Sequence, residues 1–143
     1  MKQVTVLAMS VAAAMLSSAA MAQLACPANT TRVQTLTAVV GGKTMCAASG
    51  GDRWQEWHNG SNAGPLVDYK RGPGHAVDPT ETVGTFIAID GASSRLTHIY
   101  SGGGTYSWIV CADATNTFYT LVSTGGAPTI TGVTLLPGLI ACP

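Results

Sequence analysis

Residues 84–111 read GTFIAID, then GASS, RLTHIYS, GGG and TYSWIVC, and this stretch decides the fold. Three runs rich in Ile, Thr, Tyr and Trp are separated by glycine-bearing connections of three or four residues. β-Branched and aromatic residues suit a pleated, half-buried surface, and Gly punctuates the turns. Each run alternates. Thr85, Ile87 and Ile89 share one face of the first run. Leu96, His98 and Tyr100 lie opposite Arg95, Thr97 and Ile99 in the second. Tyr106, Trp108 and Val110 lie opposite Thr105, Ser107 and Ile109 in the third. A period of two is the signature of strands, and such short connections predict consecutive hairpins.

The pattern extends in both directions. Upstream lie Lys43–Ala47 after Gly41-Gly42, Arg53–His58 before Asn59-Gly60, and Leu66–Arg71 before Gly72-Pro73. Downstream lie Thr117–Ser123 before Gly125-Gly126 and Ile130–Leu136 before Pro137-Gly138. That makes about eight strands in series. A meander of this length has to protect its edges, and closure does so. The predicted fold is all-β, a small antiparallel meander barrel of about eight strands. An open twisted sheet or a β-sandwich is the alternative. Residues 35–42 have room for one short helical turn, which needs packing to persist.

Residues 1–22 stand apart. Lys2, the apolar run Val4–Leu16 and Ala20-Met21-Ala22 have the layout of a signal peptide with a small-x-small cleavage site. The expected domain is 23–143, exported to the periplasm or beyond the cell. No later apolar run approaches the roughly 20 residues of a membrane span. The chain carries 7 Lys and Arg against 7 Asp and Glu, with no basic stripe, so a nucleic-acid partner is not expected.

Four cysteines, Cys26, Cys46, Cys111 and Cys142, remain after residue 22. An even number in an exported chain predicts two disulfides, with three pairings open. Structural zinc sites favour close C-x-x-C pairs, which this spacing lacks. Lipidation at Cys26 would leave an odd thiol, and Gln23 stands where an apolar residue belongs. No metal or other cofactor is expected.

Charge gathers between Asp52 and Gly84. Arg53, Lys70 and Arg71 lie there with Asp52, Glu56, Asp68, Asp78 and Glu81, and so do Trp54, Trp57, His58 and His75. On a strand, Trp54, Glu56 and His58 project to one side, and Leu66, Asp68 and Lys70 do so on the next. The plainest expectation is cross-strand charge pairing, which contributes roughly 0.2–1 kcal/mol per pair. The sharper one is a ligand site at a barrel mouth, built from Trp54, Glu56, His58, Asp68, Lys70 and Trp108. Aromatic walls with a few convergent polar groups are how small-ligand sites are built. Residues 71–84, RGPGHAVDPTETVG, read as a long connection shaped by Pro and Gly.

No nucleophile elbow, phosphate loop or H-E-x-x-H pattern is present. Catalytic residues are therefore not assigned. A small hydrolase-like enzyme would use Glu56 with His58, or Glu56 with Asp68, as acid and base.

The motifs RWQEWH, DYKRGP, DPTETVGTF and SGGGTYSWIV, spanning Lys43 to Ser123, resemble those of a group of small exported proteins of Gram-negative bacteria. That group carries RWQE-x-H, DYKRGP, DPT-x-x-VGTW and GGGG-x-Y-x-Y-x-V. Phe86 stands here at the Trp position. The resemblance implies export and implies no catalytic residue. The layout is also similar to that of lipocalin-like meander barrels. The expected function is a non-enzymatic binding or interaction module, for a small apolar or amphipathic ligand or for a protein partner. An inhibitor or surface protein using residues 72–84 is a further alternative.

Overall fold

The computed structural model describes residues 24–49, 52–68 and 80–143. The signal-peptide reading and Lys70 lie outside these residues. So does most of the 71–84 connection. A short strand β1 (Thr31–Arg32) and one helical turn α1 (Leu36–Val40) precede eight longer strands. These are β2 (Lys43–Ser49), β3 (Asp52–His58), β4 (Ala63–Asp68), β5 (Glu81–Ile89), β6 (Arg95–Tyr100), β7 (Thr105–Ala112), β8 (Tyr119–Ser123) and β9 (Ile130–Pro137). Each of β2 to β9 pairs antiparallel with the next, and β9 pairs back with β2. The result is a closed eight-stranded meander barrel, consistent with a lipocalin-like layout, and closure leaves these strands no free edge. The added strand β1 pairs with Cys111 and Ala112 of β7.

Alternation decides what fills the lumen. Met45, Leu66, Phe86, Leu96, Val110, Leu121 and Val133 point inward and form the core with Trp108. Thr85, Ile87 and Ile89 do share a face, the outward one, and Ile87 and Ile89 remain exposed. Burying both faces of β5 would need a second layer outside the barrel wall.

Two irregularities adjust the wall. Along β9, Ile130 and Val133 face Leu121 and Tyr119, so three steps on one strand match two on the other. Gly132 takes the extra residue at φ 69°, which lets both Ile130 and Val133 turn inward. Along β5, Thr82 pairs with Val67 and Gly84 with Leu66, which bulges Val83. A Cβ on Gly84 would lie 2.1 Å from the Ile99 carbonyl oxygen. Gly84 is therefore a site of close backbone approach inside a strand, rather than the turn its Pro/Gly surroundings suggest. This is why β5 begins at Glu81, three residues before the predicted start. Strand β4 likewise begins earlier than expected, at Ala63, and accommodates Pro65.

The two ends of the barrel differ. At one end α1 acts as a floor, with Leu36 and Val40 fully buried. A five-residue helix has no stability of its own. Here it is held by packing and by Asp90, whose carboxylate accepts from the Thr37 amide at 2.8 Å and the Thr37 hydroxyl at 2.7 Å. Those bonds keep the Asp90 carboxyl below the usual range. Arg32 donates to the Ser94 carbonyl at 2.7 Å and fastens β1 to the same end. The opposite end is bounded by residues 101–104 and 124–129 and by the ends of β4 and β5.

Disulfides join Cys26 to Cys111 and Cys46 to Cys142, choosing one of the three pairings. Both fasten a chain tail to the outer wall, and they place the protein in an oxidising environment. The C-terminal tail covers β2 and β3: Thr44 donates to the Gly138 carbonyl at 2.6 Å, and Gln55 accepts from the Cys142 amide. This cover explains why Thr44 and Gln55 are buried on an outward face. Among the described residues no helix is long and apolar enough to cross a membrane.

Candidate functional site

Inward-facing polar residues form a cluster that runs across the lumen, from His58 beside the α1–β2 junction to Tyr100 towards the open end. Strand β3 contributes Glu56 and His58, and strand β6 contributes His98 and Tyr100. In the sheet β3 and β6 are separated by β4 and β5, so their side chains meet across the lumen. Tyr100 Oη donates to Glu56 Oε1 at 2.6 Å. Glu56 Oε2 lies 3.2 Å from His98 Nδ1. His98 Nε2 lies 2.9 Å from His58 Nε2, and His58 Nδ1 lies 3.2 Å from the Lys43 carbonyl oxygen.

This chain of contacts fixes its own protons. A carbonyl oxygen only accepts, so His58 Nδ1 carries hydrogen and donates to Lys43. A neutral His58 then accepts at Nε2, which makes His98 Nε2 a donor. Burial and the neighbouring His98 push the His58 pKa down to about 3, which keeps that ring neutral. Burial alone would raise the Glu56 carboxyl. The nearby His98 ring and the Tyr100 hydroxyl outweigh it, and the net shift is downward. Glu56 is thus an ionised carboxylate that is only 6% exposed, and it faces a ring that holds the shared proton. The Oε2 contact with His98 Nδ1 is not well aligned as a hydrogen bond, so Oε2 has no geometric hydrogen-bond donor. Burial, then the Glu56 charge and hydrogen bond, drive the Tyr100 phenol upward, so it stays protonated and donates.

Aromatic rings pack this cluster in place. Phe86 meets His58 edge-on at 4.8 Å, and Trp108 meets His98 edge-on at 5.0 Å. Tyr106 stacks on Trp108 at 16° and meets Tyr100 edge-on at 5.8 Å.

Above the cluster the lumen is open. One cavity of about 390 Å³ is lined by Trp54, Tyr100, Tyr106, Trp108, Pro128 and Ile130. A second, of about 220 Å³, is lined by Trp54, Glu56, Asp68 and Tyr100. The two share Trp54 and Tyr100. Eight strands leave room for core side chains or for one small ligand, and this barrel divides its lumen between the two.

The structure therefore places the predicted site residues at different depths. Trp54, Glu56, Asp68 and Trp108 line the cavities. His58 is fully buried beneath them and lines neither. Glu56 and Asp68 are direct cross-strand partners in one cleft, whereas His98 stands between Glu56 and His58. Sequence reasoning did not bring His98, Tyr100 and Tyr106 to the site. Their shared inward spacing was visible, but the strand that they would face was not. Among the described residues no group of three His, Cys, Asp or Glu is placed to hold a metal ion.

The buried pair of rings gives a pH dependence with a definite sign. In the unfolded chain His58 titrates near its ordinary value of 6.5, and in the fold near 3. Between those values the unfolded chain binds the extra proton, so stability falls as pH falls. Glu56, with its lowered pKa, removes further stability below the ordinary carboxylate range. Urea unfolding midpoints should therefore be level above neutrality and decline from pH 6.5 towards 4. The slope expected from one proton is at most about 1.4 kcal/mol per pH unit. His58→Gln should flatten that decline, and a midpoint that rises on acidification would contradict the tautomer assignment.

No protein-family model, curated protein or solved structure matches the chain.

Proposed function

We propose that the protein is an exported, non-enzymatic binding module that takes a small, partly apolar ligand into the open end of its barrel. The observation that carries this reading is the cavity of about 390 Å³ walled by Trp54, Tyr100, Tyr106 and Trp108. Its size falls within the range typical of small-molecule pockets, roughly 300–1,000 Å³, and its lining is of the usual kind. A polar end formed by Glu56 and Asp68 adjoins it, which suits an amphipathic guest. The two disulfides accord with the periplasm or the extracellular space.

Catalysis by Glu56 and His58 is disfavoured by their arrangement. His58 lies out of reach of the cavities, and the proton chain ends at a backbone carbonyl instead of a substrate position.

Native mass spectrometry of the protein purified from its own host tests the reading. A retained small-molecule adduct is expected, and Ala127→Trp should abolish it by filling the cavity from its rim. An adduct unaffected by that substitution would place binding elsewhere. The absence of any adduct, with no thermal shift from small aromatic compounds, would overturn the proposal.

A further inference from the structure

The two cavities at the open end differ in chemistry and share a boundary. Trp54 and Tyr100 line both. This further inference rests on the binding reading above and names the chemistry of the ligand. We propose that the site takes an organic cation, with an ammonium group held against Glu56, Trp54 and Tyr100 and an apolar body extending between Tyr106 and Trp108.

Three observations support the positive charge. The first is the lining: the described residues around both cavities include two carboxylates and no Lys, Arg or His. Among the described lining residues, a ligand carboxylate or phosphate would meet two carboxylates and no cationic side chain. The second is the set of four aromatic residues. Trp and Tyr faces attract ammonium groups through their quadrupoles, and aromatic cages are a recurrent way to hold them. Tyr106 and Trp108 are already stacked, and Tyr100 closes against Tyr106, so these walls are ordered before a ligand arrives.

The third is Glu56 itself. It is a deeply buried carboxylate whose Oε1 is taken by Tyr100 and whose Oε2 has no hydrogen-bond donor. Buried polar atoms are normally satisfied, and an exception calls for an explanation. An ammonium N–H is a charge-assisted donor of the kind such an oxygen lacks. His98 faces Glu56 from across the lumen, and Glu56 also lines the cavity with Asp68 at the open end. Asp68 has contacts of its own, and it adds negative charge at the rim.

Calorimetric titration with three matched probes tests this: 2-phenylethylamine, 2-phenylethanol and 3-phenylpropionate. They share a phenyl ring on a two-carbon arm and differ in head-group charge. The amine should bind about tenfold more tightly than the alcohol, and the carboxylate should not bind measurably. Glu56→Gln should remove most of the amine's advantage over the alcohol. Because Glu56 belongs to a buried cluster, Asp68→Asn and Trp54→Leu provide a second measure. Each should weaken the amine more than the alcohol in a protein that unfolds at the native urea concentration. Alcohol binding as tight as that of the amine, or tighter binding of the carboxylate, would overturn the cation assignment while leaving cavity binding intact. If none of the probes binds and indole does not bind either, the binding reading falls with it.

Discussion

Replacing His98 by Leu is expected to cost about 3 kcal/mol of folding stability, because it leaves two buried polar groups, the Glu56 carboxylate and His58 Nε2, without their shared partner. Leu fills much of the imidazole's volume, so the loss is electrostatic more than steric. Glu56, only 6% exposed, would keep the Tyr100 hydrogen bond and lose the imidazole that faces its other oxygen. His58 Nε2 would lose its donor as well. Adding Glu56→Gln to the His98→Leu background should recover about 1–2 kcal/mol, because the stranded charge is gone. Urea denaturation of the two single variants and the double variant gives the coupling energy directly. A His98→Leu cost below about 1 kcal/mol would mean that Glu56 is relieved by water in a way its burial does not suggest.

The second large effect concerns the tails. Removing the Cys46–Cys142 bridge by converting both residues to Ala should lower the melting temperature by about 10–20 °C, from the 2–5 kcal/mol typical of a native disulfide. Sequence separations of 85 and 96 residues close long loops, and long loops gain most in the chain-entropy account. Enthalpy contributes too. Without the bridge, the C-terminal tail holds β2 and β3 only through bonds such as those of Thr44 and Gln55, and its departure would expose both residues. Removing Cys26–Cys111 should act on the floor, since that bridge anchors the segment that leads into β1 and α1. Calorimetry with and without reductant checks both cases. A shift under about 3 °C for either would show that the tail stays docked without its tether.

Most of the barrel was legible because its strands obey a simple rule. Gly84–Cys111 alternates between glycine turns, imperfectly because both faces carry apolar groups, and that alternation survives folding. Three features were not legible, each for a physical reason. Strand β1 has two residues, and its pairing with Cys111 and Ala112 depends on a disulfide partner that spacing does not reveal. Gly84 carries the composition of a turn but serves as a point of backbone contact with Ile99. The outward stripe of Ile87 and Ile89 reverses the usual reading of apolar faces, because Phe86 and Ala88 take the inward positions.

The candidate site was legible only in part. Trp54, Glu56 and His58 could be placed on one face from their spacing alone. Their true neighbours, His98 and Tyr100, lie 40 and 44 positions along the chain. They become neighbours only when the sheet curls shut, and closure depends on all eight strands rather than on any local motif. Stabilising cross-strand charge pairing, the plainest expectation for the charged segment, is not what Glu56 meets on β4, where its register partner is a second carboxylate, Asp68. The stronger contacts of Glu56 run across the lumen.

The interleaving of the two disulfides has a mechanical consequence. The loop from Cys26 to Cys111 contains Cys46, and the loop from Cys46 to Cys142 contains Cys111. A force applied to the two tails therefore finds a short covalent route, along the backbone from Cys26 to Cys46 and through sulfur to Cys142. Some twenty residues of backbone can be drawn taut along that route, about 70 Å at full extension. The rest of the chain bears no load along it. Pulled by its ends, the molecule would stop extending while most of its barrel staves remained slack.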